Sequence, residues 1–139
     1  MTRLTTLALG MVVLLAGAAL AYADTEGGKK PLGTWKRSAG DTTITFEFKG
    51  DSVRCTIVTG DNSMDVSADY GLTKDGVVFG RVNKVTKKGM EGGPSEGDLF
   101  SFRVAVEKEA FTLSELKAQD AGDDVKQLFE GEYKKEKDN

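Results

Sequence analysis

Apolar and polar residues alternate with a period of two along most of the chain after residue 34. The segment "TTITFEFKG" sets Ile44, Phe46 and Phe48 against Thr43, Thr45, Glu47 and Lys49. Only an extended strand sends successive side chains to opposite faces, so this segment reads as a half-buried strand. "SVRCTIVTG" repeats the pattern with Val53, Cys55 and Ile57, and "MDVSADYGL" with Met64, Val66, Ala68 and Tyr70. "LFSFRVAVE" places Phe100, Phe102, Val104 and Val106 on one face. "VVFGRVNKV" and "AFTLSELKA" also read as strands, with Phe79 and Phe111 assigned inward and the phase near Glu115 left open. "VKQLFEGEYKK" reads as the final strand, with Phe129, Gly131 and Tyr133 in phase. The nearest helical window, residues 113–128, is interrupted by Gly122 and its neighbouring aspartates.

Turn signals separate these runs: Gly50-Asp51, Gly60–Ser63, Lys74-Asp75-Gly76, Lys108-Glu109 and "DAGDD" from Asp120 to Asp124. With a first strand opening at Gly33-Thr34-Trp35, the count is eight strands joined by short connections. That arrangement is an antiparallel meander. Left flat, it would expose two edges and one wet apolar face; closed into an up-and-down barrel, it has neither. The same inward set also suits a two-sheet sandwich. The expected fold class is all-β, an eight-stranded antiparallel barrel over residues 31–135.

The N-terminus is of another kind. "MTRLTTLALGMVVLLAGAALAYAD" carries Arg3, an apolar stretch from Leu7 to Leu20, and Ala21-Tyr22-Ala23. This is the pattern of a secretory signal peptide cleaved after Ala23, too short in its apolar run for a spanning helix. Export to the periplasm or beyond the cell is therefore expected, with a polar disordered lead-in at residues 24–30 and a charged tail at 136–139. No stable membrane insertion is expected after cleavage. Removal of residues 1–23 takes away Arg3 and no acid, moving the net charge from −3 to −4. Mild acidity with mixed signs gives no electrostatic case for a nucleic-acid partner. The single cysteine, Cys55, rules out an internal disulfide, so packing alone must hold the fold.

Gly33-Thr34-Trp35 at the start of the first of eight meandering strands resembles the lipocalin-like (calycin) family, and the chain is most similar to its small exported bacterial members. The resemblance implies that Trp35, the only tryptophan, plugs one end of the barrel together with Gly33. It also implies a basic residue of the last strand stacked over the indole, here Lys134 or Lys135. The last-strand arginine usual in the family is absent, and "SADYG" at residues 67–71 matches the family's Thr-Asp-Tyr turn only loosely and too early in the chain.

Chemistry-bearing patterns are sparse. With no histidine, Ser-His-Asp and Cys-His catalysis are excluded. Asp61, Asp65 and Asp69 are close in sequence, yet a calcium loop counted from Asp61 would need Gly and Glu where Val66 and Leu72 stand. No metal or cofactor is implied. Cys55, on an inward phase, is expected to be an inert small hydrophobe. "KKGMEGGPSEGD", in the longest loop, does not lead from a strand into a helix and is no phosphate cradle; it is a candidate lid or contact surface. The first functional expectation is a noncatalytic domain holding a small apolar ligand in a mostly filled barrel, through Phe46, Phe48, Tyr70, Phe79, Phe100 and Phe102. The alternative is a protein-interaction module, such as an inhibitor or cell-envelope accessory, acting through its loops.

Overall fold

The computed structural model describes residues 30–119 and 121–137. The expected signal peptide (residues 1–23), residues 24–29 of the expected lead-in and residues 138–139 of the expected tail lie outside the described residues. Eight antiparallel strands close into a barrel in sequence order. They are β1 (Gly33–Ala39), β2 (Thr42–Phe48), β3 (Ser52–Thr59), β4 (Asn62–Leu72), β5 (Val77–Lys88), β6 (Leu99–Val106), β7 (Ala110–Ala118) and β8 (Gly131–Lys135). The barrel closes where β1 pairs with β8, Trp35 opposite Lys135 and Lys36 opposite Lys134. Closure gives every strand two neighbours, which is what an eight-strand meander needs to avoid edge association.

The strand β2 shows the sequence pattern in its plainest form: Thr42, Ile44, Phe46 and Phe48 are buried and the residues between them are not. Two bulges break the alternation elsewhere. Between Ser67 and Ala68 the pairing of β4 with β5 shifts, leaving Asn83 as the extra residue. Val82 and Val85 therefore share the inner side despite their odd spacing. Between Ser101 and Arg103 the pairing of β6 with β7 shifts, and Glu115 takes φ 50°. Leu113 and Leu116 are both buried as a result, while Glu115 points out to pair with Arg103 at 2.6 Å.

The last connection corrects the sequence reading. Residues 123–129 form a helix, α1 (Asp123–Phe129), instead of a turn running into a strand, and β8 starts only at Gly131. Two aspartates favour the positive end of the helix in its first turn, and Val125, Leu128 and Phe129 stand at i, i+3 and i+4. Two side chains pin α1 across the barrel end. Arg37 Nε donates to the Leu128 carbonyl at 3.2 Å, and Glu130 Oε2 accepts the Leu116 backbone N–H at 2.9 Å. The second bond satisfies an amide beside the β7 bulge.

One end of the barrel is packed solid. Trp35 meets Phe111 edge-on at 5.1 Å, Phe111 stacks on Tyr133 at 4.9 Å, and Phe48 meets Tyr70 edge-on at 5.3 Å. The polar tips of these rings are all satisfied, as buried donors require. Trp35 Nε1 donates to the Pro31 carbonyl at 2.8 Å, Tyr70 Oη to the Lys49 carbonyl at 2.6 Å, and Tyr133 Oη to the Phe129 carbonyl at 2.8 Å. Lys30, the last residue of the lead-in, sits at the same end with its Nζ 5.4 Å from the Tyr70 ring centre.

Candidate functional site

Away from the aromatic end, the interior is not filled. A cavity of about 360 Å³ occupies the half of the barrel nearer α1 and the β5–β6 loop. The expectation of a mostly filled barrel therefore holds for one half only. The reason lies in where the bulk is placed. The large rings Trp35, Phe48, Phe111 and Tyr133 pack on one another at the closed end. The open half receives smaller inward residues, among them Val53, Cys55, Val66 and Ala68.

Phe46 forms the floor. It contacts Phe48 at 5.6 Å and Tyr133 at 5.2 Å below, and Phe102 at 5.8 Å and Phe129 at 6.3 Å beside the cavity. Phe100 and Phe102 stack at 6.0 Å along one wall. The opposite wall is aliphatic and sulfur-bearing, with Cys55, Ile57 and Met64. Helix α1 contributes Val125, Leu128 and Phe129, and the β5–β6 loop contributes Met90, Gly93 and Pro94. That loop is held against the barrel by reciprocal backbone bonds, Val82 N–H to the Asp98 carbonyl at 2.9 Å and Gly97 N–H to the Val82 carbonyl at 2.8 Å. Leu99 and Val125 line the cavity and are also exposed, 69% and 38%, so they mark its mouth.

The six phenylalanine and tyrosine positions expected to line a ligand site separate into three groups. Phe46, Phe100 and Phe102 line the cavity. Phe48 and Tyr70 are inward but belong to the closed end, outside the cavity walls. Phe79 is a correction: it lies on the outer face, 50% exposed, because Val78, Gly80 and Val82 hold the inward phase of β5. Its ring covers Gly71 of β4, where a Cβ would lie 2.6 Å from Cζ. Phe129 lines the cavity, but from the helix and not from a strand.

Gly33 and Trp35 sit together at the closed end. Trp35 is 2% exposed and has Lys135 Nζ 5.5 Å from its ring centre; of the two lysines considered, Lys135 takes that place. Gly33 has φ 112°, a conformation open to glycine, and a Cβ there would lie 3.1 Å from Lys135 Cε. The glycine thus lets the lysine stem cross the strand on its way to the indole.

The chemistry of the walls is overwhelmingly apolar. Thr59, Asp98 and Gln119 are the polar side chains on the lining, together with the Cys55 thiol. Burial pushes the Cys55 thiol well above its ordinary value, with the Asp65 charge a smaller contribution, so it is held as the protonated, unreactive form. Among the described residues, no buried side-chain nitrogen or oxygen lacks a hydrogen-bond partner. Two carboxylates of the "GDNSMDVSAD" stretch, Asp65 and Asp69, are engaged on the outer wall. Asp65 accepts a two-pronged bond from Arg54, including Nε to Oδ1 at 2.8 Å, and Asp69 accepts from Asn83 Nδ2 at 3.0 Å. The Arg54 guanidinium holds the Asp65 carboxyl below its usual range.

Sequence reasoning missed the aliphatic half of this site. Leu116 was hidden by the bulge, and Val125 and Leu128 by the helix read as a strand. The three-and-four spacing of Val125, Leu128 and Phe129 was the available signal. Comparison with protein-family models, curated proteins and solved structures finds no match for this chain.

Proposed function

We propose that this chain is an exported, noncatalytic lipocalin-like domain that holds one small apolar molecule in the open half of its barrel. The observation that carries the reading is the cavity itself: about 360 Å³, within the range of small-molecule sites and lined almost wholly by carbon and sulfur. With every described buried polar side chain already partnered, affinity for the tail inside the cavity rests on shape and desolvation. The tryptophan plug, with Gly33 beneath Lys135, supports the lipocalin-like assignment. The signal-peptide pattern at residues 1–23 supports export. A protonated thiol and the absence of any histidine favour binding over catalysis.

Calorimetric titration with hexanol, octanol and decanol tests the reading. Each methylene moved from water onto these walls contributes about 0.8 kcal/mol, so affinity should rise about fourfold per carbon until the cavity is full. Val66→Phe, which places a ring in the cavity, should abolish the series. Absence of binding by all three alcohols would refute the proposal and favour action through the loops.

A further inference from the structure

We infer that the cavity selects amphiphiles with a cationic head, such as a long-chain alkylammonium, over anionic ones such as a fatty acid. The inference rests on the binding reading above and adds the sign of the head group. Among the described residues that line the cavity, Asp98 is the only charged one; no lysine or arginine reaches the walls. A fatty-acid carboxylate entering this space would find no cation to pair with and would face a fixed carboxylate at its mouth. Two like charges held close at this mouth repel, most strongly at low salt.

The position of Asp98 is fixed, as a selective group must be. Its carbonyl accepts the Val82 N–H, and its own N–H donates to the Ser95 carbonyl at 3.0 Å. One carboxylate oxygen, Oδ2, accepts the Ser95 N–H at 2.9 Å. No ion pair among the described residues involves Asp98. The side chain is half-buried, beside the exposed Leu99 that marks the mouth. An apolar tail lying among Phe46, Phe100 and Leu116 would leave its head at the level of this carboxylate. The loop from residue 89 to 98 adds Glu91 and Glu96 to Asp98, and α1 begins with Asp123 and Asp124; the nearby bases, Arg81 beside Gly97 and Lys87 and Lys88 at the end of β5, are not on the cavity walls.

The test compares decylammonium, decanol and decanoate by calorimetry at neutral pH and low salt, each below its micelle concentration. Decylammonium should bind about three- to tenfold more tightly than decanol, and decanoate more weakly than decanol. The ammonium advantage should shrink as salt is added, because the pair lies at a solvated mouth. Asp98→Asn keeps the acceptor for Ser95 and should remove the difference between decylammonium and decanol when both are measured on that variant. Val125→Lys, on the exposed face of the mouth, should move the order toward decanoate and does not depend on the loop folding correctly. Equal binding of all three probes, or decanoate binding tightest to the unaltered protein, overturns the head-group inference alone. An ammonium advantage that survives Asp98→Asn overturns the role of Asp98. If none of the three binds, the binding reading falls, and this inference with it.

Discussion

Replacing Trp35 with alanine should cost about 3–5 kcal/mol of folding stability, the range for truncating a buried aromatic side chain. The structure shows where the loss arises. The indole is 2% exposed, so its removal forfeits about 1.5–3 kcal/mol of burial. Its Nε1 bond to the Pro31 carbonyl contributes about 1 kcal/mol, and the edge contact with Phe111 about 0.5–1.5 kcal/mol more. For a domain whose total stability is on the order of 5–15 kcal/mol, this is a large fraction. Trp35→Phe separates the contributions: it keeps a ring against Phe111 but leaves the Pro31 carbonyl without its donor, and should cost about 1–2 kcal/mol. Urea unfolding followed by far-ultraviolet circular dichroism reads both, since the intrinsic fluorophore is lost. A loss under about 1 kcal/mol for Trp35→Ala, or equal losses for the two variants, would show that Trp35 does not plug the barrel.

Burial raises both the Cys55 thiol and the Tyr133 phenol, whose ordinary values are 9.0 and 10.0. The native state keeps protons that the unfolded chain releases, so these two groups leave stability unchanged below about pH 8 and lower it above, by up to about 1.4 kcal/mol per pH unit for each. Cys55→Ala should delay the fall until near the Tyr133 range; identical alkaline limbs in the two proteins would contradict this. A thiol reagent should label Cys55 slowly in native buffer and fast in denaturant, and equal rates would place the thiol on the outer face. Glu115→Gly should be about 1 kcal/mol more stable than Glu115→Ala, because both lose the Arg103 pair and only glycine relieves the φ of 50°; equal urea midpoints would show that the β7 bulge is unstrained. Replacing residues 89–97 with a Gly-Ser segment of equal length should leave a folded barrel, since β5 keeps its pairing with β4 to Lys88 and with β6 from Val77–Arg103 to Arg81–Leu99. It should also remove decanol binding along with Met90, Gly93 and Pro94; retention of full affinity would exclude the loop as a cavity wall.

The barrel was legible because β2, β3, β4 and β6 carry the period of two, and β2 states it without a break. What was not legible has identifiable physical causes. A bulge shifts the phase within a strand, so "VVFGRVNKV" gives conflicting faces: Val78 and Val82 share one parity and Val85 the other, yet all three lie on one side. Phe79 was placed inside for that reason. The helix α1 is only two turns long and ends beside Gly131, so its apolar spacing competed with an in-phase strand reading of Phe129, Gly131 and Tyr133. Height along the barrel axis is a further quantity that periodicity does not carry. Phe46 and Phe48 are equally inward, but one floors the cavity and the other belongs to the closed end. The cavity was equally hidden, because empty space follows from the combined size of residues on different strands, such as Cys55, Val66 and Ala68.

The central claim is that a small apolar molecule occupies the open half of this barrel and leaves the closed half untouched. Methyl-resolved nuclear magnetic resonance during titration with decanol measures this directly. The account predicts saturable shifts at the methyl groups of Ile57, Met64, Met90, Leu116 and Leu128, all on the cavity walls, with the Trp35 indole N–H resonance unmoved. Shifts confined to exposed residues such as Leu32 and Val58, or no saturable shift at all, would contradict it.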